Sequence, residues 1–189
     1  MWTKISLVRK SIFTLISLSL FFISCNNSEL EYTIETTLNP NNISPLTATL
    51  QINTDKPCSV RVKVLGDIPV EQSIKDVNTA TTVSVLGLYP NQLNKVEVTL
   101  NFDGGQQVDV IEIQTQQLPD YFPSVKVDKL EKEAMESGMH ALDIHFANFG
   151  KFRSAPIIFD DQGNIRWYLD LSFHGAMLGP FQKLKMEIF

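Results

Sequence analysis

Three histidines carry the most versatile chemistry in this sequence, at positions 140, 145 and 174. Imidazole can serve as an acid, a base, a nucleophile or a metal ligand. His145 alternates with Asp143 in "MHALDIHF", opposite the apolar residues of that segment, which predicts an exposed strand residue. His140 begins the apolar face and is expected to be a core group. His174, in the loop "SFHGAM", is a weak candidate for a catalytic residue. No base, anion clamp or metal-ligand spacing accompanies them, so structural roles and no metal site are predicted.

Arg166 and Trp167 are neighbours in "DDQGNIRWYLDL" and together could contact an anion. Strand alternation places their side chains on opposite faces of a sheet. We therefore expect Trp167 in a seam between packed sheets and Arg166 pointing outward.

The common sequence signatures of enzymes are missing. The chain contains no glycine-rich phosphate loop, no Gly-x-Ser-x-Gly elbow and no Cys-x-x-Cys pair. Its carboxylates are dispersed, and no pair stands out as the acid and base of a glycosidase. The sequence therefore predicts no cofactor and leaves the catalytic residues unknown.

The first residues have the pattern of an export signal. Basic residues precede an apolar run over residues 11–24 that is too short to span a bilayer comfortably. The run ends in "FFIS" before Cys25, which resembles a bacterial lipobox and predicts lipidation of Cys25. Residues 1–24 would then be a signal peptide and 25–29 a tether, giving an exported lipoprotein anchored to the outer membrane on its periplasmic or cell-surface side. An uncleaved signal anchor and an ordinary signal peptide with a chance cysteine are the alternatives.

Charge and cysteine content limit the partners. Removing residues 1–24 takes away three basic groups and changes the formal charge from −5 to −8. An acidic chain argues against nucleic acid and anionic membrane surfaces as partners. Besides Cys25 the chain has only Cys58, so no internal disulfide is expected and stability must come from packing.

Residues 30–115 contain short segments of alternating polarity separated by turn residues. Seven strands are predicted, with the turns "NPNNISP", "TDKP" and "DGG" among the connections. In "SVRVKVL" the valines share one face and the basic residues the other. "VDVIEI" repeats the alternation with Val108 and Val110 and with the nearby Ile111 and Ile113. This pattern predicts two half-buried sheets.

The segment "VLGLYPNQLNKVEV" resembles the strand-corner-strand of a fibronectin type III domain. Leu88, Pro90, Val96 and Val98 fall at the spacing of that family, which places Leu88 in the core. Asn94 stands where that family has its corner tyrosine. Residues 30–115 are thus expected to form an immunoglobulin-like or fibronectin III-like β-sandwich.

A second β unit is predicted after a linker over residues 116–138. The linker contains two prolines in "QQLPDYFP", which interrupt strand pairing, and "KLEKEAMESG", a loop or one to two helical turns. Residues 139–189 give four strand candidates, "MHALDIHF", "SAPIIFD", "NIRWYLDL" and "FQKLKMEIF". The loop "DQG" suits a hairpin with Gly163 at positive φ. Four antiparallel strands make one propeller blade, which needs neighbours to bury its two apolar faces.

The order of export signal, sandwich, proline-rich link with "YFPSVKV" and blade with "DDQGNIRWYLDL" and "FQKLK" resembles the amino-terminal part of the bacterial arylsulfate sulfotransferases. The resemblance covers essentially everything after Cys25. It implies sulfuryl transfer from an aryl sulfate to a phenolic acceptor through a sulfohistidine, without a nucleotide donor or a metal. In that family the catalytic histidine and its partners come from later blades, so none is assigned to this chain.

Two hypotheses follow. The chain is an amino-terminal fragment of such an enzyme, inactive alone and acting on aryl sulfate and phenol only when further blades complete it. Alternatively, it is a cell-surface lipoprotein whose sandwich binds a protein or glycan without catalysis. Either hypothesis is compatible with a homodimer.

Overall fold

The computed structural model of the chain describes residues 29–122, 125–131, 133, 134, 138–148 and 151–170, without the side chains of 146–148 and 151–153. Cys25, His174 and the strand candidate "FQKLKMEIF" lie outside the described residues. All regular structure in the described part is β, which confirms the all-β class. No helix in that part has the length and apolar content needed to cross a bilayer.

Five antiparallel strands build the first unit, and their pairing connects them in one sheet, not in the two separate sheets that the alternation predicts. The long strands β2 and β3 form its central hairpin. Strand β1 pairs with the first half of β2, β4 pairs with the second half, and β5 pairs with β4. The first half of β2 therefore pairs with β1 and β3, and its second half pairs with β3 and β4. The strands are β1 (Tyr32–Leu38), β2 (Ala48–Val64), β3 (Val70–Val85), β4 (Leu93–Phe102) and β5 (Gly105–Gln114).

The prediction of seven separate strands is wrong in its count. The predicted turn "TDKP" lies inside β2, and two further predicted strands join to form β3. The pairing of β2 with β3 shifts register between Asn53 and Cys58 and again between Cys58 and Val60. Bulges increase the local bend and twist of a strand without ending it. A long strand can thus pass from one ladder to the next where the sequence predicts a turn.

The core of this unit is aliphatic and follows the predicted alternation. Val60, Val62 and Val64 are buried along β2, while Arg61 and Lys63 remain partly exposed on its other face. Leu88 is fully buried, as the corner spacing predicts. Further buried core residues are Leu46, Ala48, Leu50, Ile52, Val83, Val85, Val96, Val98, Leu100 and Ile113.

The alternation of β5 is predicted only in part. Ile113 is buried and Ile111 packs against the core, but Val108 and Val110 are 46% and 47% exposed. Side chains of even-numbered and odd-numbered residues point to opposite faces of a strand, so the two valines and the two isoleucines cannot lie on the same face. The face of β5 that carries Val108 and Val110 is outward.

The second unit is a three-stranded antiparallel sheet in the order β6-β7-β8, with β6 (His140–Asn148), β7 (Lys151–Phe159) and β8 (Ile165–Tyr168). Three of the four predicted strands are therefore present. The turn between β7 and β8 places Gly163 at a φ of 83°, as predicted. A Cβ atom at this position would also lie 3.2 Å from the carbonyl oxygen of Val125.

The second sheet packs on the sandwich. Ile157, Ile165 and Tyr168 belong to the same buried cluster as the aliphatic residues of the first unit. Phe122 of the linker stacks edge-on against Tyr168, with ring centroids 4.6 Å apart. One face of the second sheet is therefore buried, because the sandwich supplies the neighbouring apolar surface that the sheet needs.

Candidate functional site

The two described histidines lie in different environments. His145 is exposed, with 57% of its side chain accessible, as its alternation predicts. His140 is partly buried, and its Nε2 atom lies 3.1 Å from Oδ1 of Asp161, while its ring packs beside Phe159. Both histidines have a carboxylate nearby, Asp161 for His140 and, as the alternation along the strand predicts, Asp143 for His145. Sequence spacing missed Asp161 because the β6–β7–β8 fold brings it to His140.

Cys58 lies on β2, and its thiol is free and buried. Its Sγ atom donates to the carbonyl oxygen of Lys56 at 3.1 Å. A thiol in apolar surroundings behaves as a small hydrophobic side chain. Cys58 therefore contributes to packing in the sandwich.

Arg166 is the most unusual side chain of the described structure. It is the largest of the fully buried residues, with none of its surface accessible. The prediction that it points outward is wrong, and its neighbour Trp167 is only partly buried. Arg166 contacts the backbone of the sandwich, and the adjacent Ile165 belongs to the buried core cluster, so consecutive residues of β8 are both buried.

The guanidinium group of Arg166 makes four hydrogen bonds, three of them to the backbone of the sandwich. Its Nε and Nη2 atoms donate to the carbonyl oxygen of Gly87 at 3.0 and 2.6 Å, and Nη1 donates to the carbonyl oxygen of Ile68 at 2.9 Å. Nη1 also donates to Oδ2 of Asp160 at 3.0 Å. We call Arg166, Asp160, Tyr89 and the carbonyl groups of Gly87 and Ile68 the arginine latch.

Glycine is required at the sandwich side of the latch. Gly87 has a φ of 81°, and a Cβ atom there would lie 2.5 Å from Cγ2 of Val70. L-residues other than glycine rarely adopt such a φ, and the space is already filled. The backbone at Gly87 can therefore turn its carbonyl oxygen toward Arg166 only because it has no side chain.

The ring of Tyr89 packs against the guanidinium group of Arg166. The guanidinium carbon of Arg166 lies 3.5 Å from the centroid of its ring, a cation–π contact. Asn94 holds the backbone of Tyr89 from below, accepting from its amide at 2.7 Å and donating to its carbonyl oxygen at 3.0 Å. Thr115 donates to the same carbonyl oxygen at 2.6 Å. Asn94 thus stabilises the corner at the position where the fibronectin III family has a tyrosine.

Asp160 joins the latch to the turn between β7 and β8. Its Oδ1 atom accepts from the amides of Gln162 and Asn164 at 3.1 and 2.9 Å, which fixes the turn. Its Oδ2 atom accepts from Arg166, and neither side chain of this ion pair is accessible to solvent. Burying two charges is costly, and the pair is retained only because nearly every donor and acceptor is satisfied. The latch therefore positions the second sheet on the sandwich.

The latch does not suit the binding of a free anion. Arg166 is buried with protein acceptors on all four of its hydrogen bonds. A cleft of about 580 Å³ lies beside it, and its lining includes Asp67, Glu71 and Asp161. Carboxylates on both walls would repel a sulfate ester. No group of three or more histidine, cysteine or acidic side chains in the described part of the chain is placed to hold a metal ion.

A comparison with protein families found a match to the first unit. Residues 35–116 match the family model described as the arylsulfotransferase Ig-like domain. The match spans the five strands of the sandwich from within β1, together with Gly87, Tyr89 and Asn94, and the second sheet lies outside it. No curated protein matches the chain.

Proposed function

We propose that the chain is the amino-terminal part of an exported arylsulfate sulfotransferase. The observation that supports this most directly is the match of residues 35–116 to the arylsulfotransferase Ig-like domain. A sandwich followed by an antiparallel sheet of three described strands agrees with the order of sandwich and first propeller blade that the resemblance implies. On this proposal residues 139–189 are the first blade.

The sandwich acts as a support for the enzyme's propeller. The buried latch and the shared core fix the orientation of β6, β7 and β8, the surface on which further blades would stack. Sulfuryl transfer needs a histidine that attacks sulfur and releases the phenolate, then returns the group to a second phenol. Positioned donors must stabilise the sulfuryl oxygens at the same time. In this proposal those groups belong to blades that follow the described residues.

Activity measurements test the proposal. The purified 189-residue chain should show no sulfuryl transfer from a chromogenic aryl sulfate to phenol, because one blade cannot form a funnel. The product of an open reading frame that continues through further blades should be active without a nucleotide donor. Turnover by the short chain that depends on His174 would contradict the proposal and make His174 catalytic.

A lipoprotein with a binding module and no activity is the alternative, and one observation favours it. Leu93, Val108 and Val110 are exposed, and the pairing of β4 with β5 places them on one outward face. The DNA that follows the last codon separates the two proposals. Further repeats of the "D-x-x-G-x-x-x-W" type with a histidine motif support the enzyme, whereas an unrelated gene or a terminator supports the binding module.

Export and anchoring through Cys25 form a second part of the proposal. The basic and apolar segments before Cys25 support cleavage and acylation at this residue. Metabolic labelling with a palmitate analogue should mark the wild-type protein and leave Cys25→Ser unlabelled. Equal labelling of the two proteins would rule out lipidation at Cys25.

A further inference from the structure

Asp143 and Ser154 form a buried polar pair on the second sheet, beside the exposed His145. The pairing of β6 with β7 places His145 opposite Ser154 and Asp143 opposite Pro156. The hydroxyl of Ser154 donates to Oδ1 of Asp143 at 2.9 Å. The side chain of Asp143 is 9% exposed, and that of Ser154 is buried. The three residues therefore lie together on one face of the β6–β7 ladder.

The second carboxylate oxygen of Asp143 has no hydrogen-bond partner. Oδ2 is buried, and no donor within the described residues satisfies it. Nε2 of His145 lies 3.5 Å from this oxygen, which is longer than an ordinary N–H···O hydrogen bond. An unpaired, buried carboxylate oxygen is costly, and a bound ion is one way to complete its coordination.

The separation of these two atoms suits two ligands of a single metal ion. Zinc binds imidazole nitrogen at about 2.0–2.1 Å and carboxylate oxygen at about 2.0–2.2 Å, so near-tetrahedral ligands lie roughly 3.3–3.5 Å apart. Nε2 of His145 and Oδ2 of Asp143 are at 3.5 Å without rearrangement. The hydroxyl of Ser154 holds the other carboxylate oxygen and so orients the ligand, a common role for partners of metal-binding carboxylates.

A serine nucleophile is a poorer interpretation of the same three residues. The hydroxyl of Ser154 is bonded to Asp143 and not to His145. Nucleophilic catalysis requires the base to contact the nucleophile, with the carboxylate behind the base. The order of contacts here is the reverse.

We propose that Asp143 and His145 bind a divalent transition-metal ion, with Zn²⁺ as the representative ligand. One imidazole and one carboxylate favour zinc and its neighbours over Mg²⁺ and Ca²⁺, which prefer oxygen ligands throughout. Two protein ligands leave the remaining coordination positions to water or to a further ligand. The exposed imidazole of His145 gives the ion its approach from solvent.

The test is a calorimetric titration of the purified chain, free of any histidine tag, with ZnCl₂. We expect one zinc ion per wild-type chain and loss of that binding in His145→Gln and in Asp143→Asn. Ser154→Ala should weaken the affinity about 10–100-fold, as is usual when a ligand loses its orienting partner. The fluorescence of Trp167 should verify that each variant keeps its second sheet folded.

His140→Gln is the matched control. His140 also lies beside a carboxylate, but at the 3.1 Å of a direct hydrogen bond to Asp161. Its replacement should leave zinc binding unchanged, and zinc should shift the imidazole NMR signals of His145 but not those of His140. MgCl₂ should give no binding that depends on His145. An absence of zinc binding by the wild type, or equal binding by His145→Gln, would overturn the proposal.

Discussion

The sandwich and the second sheet reach stability by different means. The sandwich buries a continuous aliphatic core from five strands, and the described sheet of β6, β7 and β8 contributes only a few apolar residues to that core. The second sheet adds the fully buried ion pair of Arg166 and Asp160, which reaches across to the backbone of the sandwich. Apolar burial is non-directional, whereas the fork of a guanidinium fixes orientation. The aliphatic core of the sandwich therefore provides most of the stability, and the arginine latch fixes the orientation of the second sheet on the sandwich.

This difference makes the second sheet dependent on the first. A core spread over many strands tolerates the loss of one contact better than an interface with few apolar residues and one buried charge pair. The amide of Asp170 donates to the carbonyl oxygen of Ile43 at 2.8 Å, a second link between the two units. The latch and this link lie at different loops of the sandwich, so together they resist rotation of the sheet.

The largest expected effect comes from Arg166→Met. The substitution leaves the carboxylate of Asp160 buried without its counter-ion, and removing one partner of a buried pair costs about 3–5 kcal/mol. Trp167 lies on β8 beside the substituted residue, and the other tryptophan of the sequence, Trp2, precedes Cys25 and is absent from a chain that begins there. Urea unfolding followed by tryptophan fluorescence should therefore shift to lower concentration, while the far-ultraviolet circular dichroism of the sandwich persists to higher urea.

Arg166→Lys is the control for geometry. Lysine keeps the positive charge but cannot donate simultaneously to Gly87, Ile68 and Asp160 in a planar fork. We expect an intermediate midpoint for the fluorescence transition. Full retention of wild-type behaviour by Arg166→Met would show that the latch does not hold the second sheet in place.

The same contrast explains how far sequence could predict this protein. Period-two alternation identified the buried valines of β2, because one apolar face against one core is a local property, and the resemblance of the corner motif to fibronectin III identified the core position of Leu88. Alternation failed for Arg166, whose burial depends on a sandwich surface some 80 residues earlier in the chain, at Gly87. A local signal did exist, since Asp160 and Arg166 flank a turn six residues apart, but their acceptors on the sandwich are set by tertiary packing.

Leu88→Ala tests the sandwich side of the comparison. Leu88 is fully buried in the aliphatic core, so truncation should lower the free energy of unfolding by about 2–5 kcal/mol. Leu86→Ala is the matched control, because Leu86 is 38% exposed and only two residues away. Its effect should stay within about 0.5 kcal/mol. Equal denaturant midpoints for the two variants would show that the core does not depend on Leu88.

The smallest expected effect is a dependence on alkaline pH at the interface of the two units. Burial first, then the negative charge of Asp170 and the neighbouring Tyr121, raise the pKa of Tyr168 well above its ordinary value of 10.0. Below about pH 10 the phenol is protonated in both folded and unfolded chains, so it adds no pH dependence there.

Above pH 10 the unfolded chain loses this proton while the folded chain keeps it, and the free energy of unfolding falls by up to about 1.4 kcal/mol per pH unit. Tyr168→Phe keeps the edge-on contact with Phe122 but has no proton to lose. Urea titrations at pH 9 and at pH 11 should therefore show a smaller alkaline loss for Tyr168→Phe than for the wild type. Tyr32→Phe is the comparison within the sandwich, because burial and Asp109 also raise the pKa of Tyr32. We expect Tyr32→Phe to reduce the alkaline loss of stability less than Tyr168→Phe does. An identical alkaline loss of stability in the wild type and Tyr168→Phe would show that the phenol of Tyr168 is exposed to water and that the two units do not bury it between them.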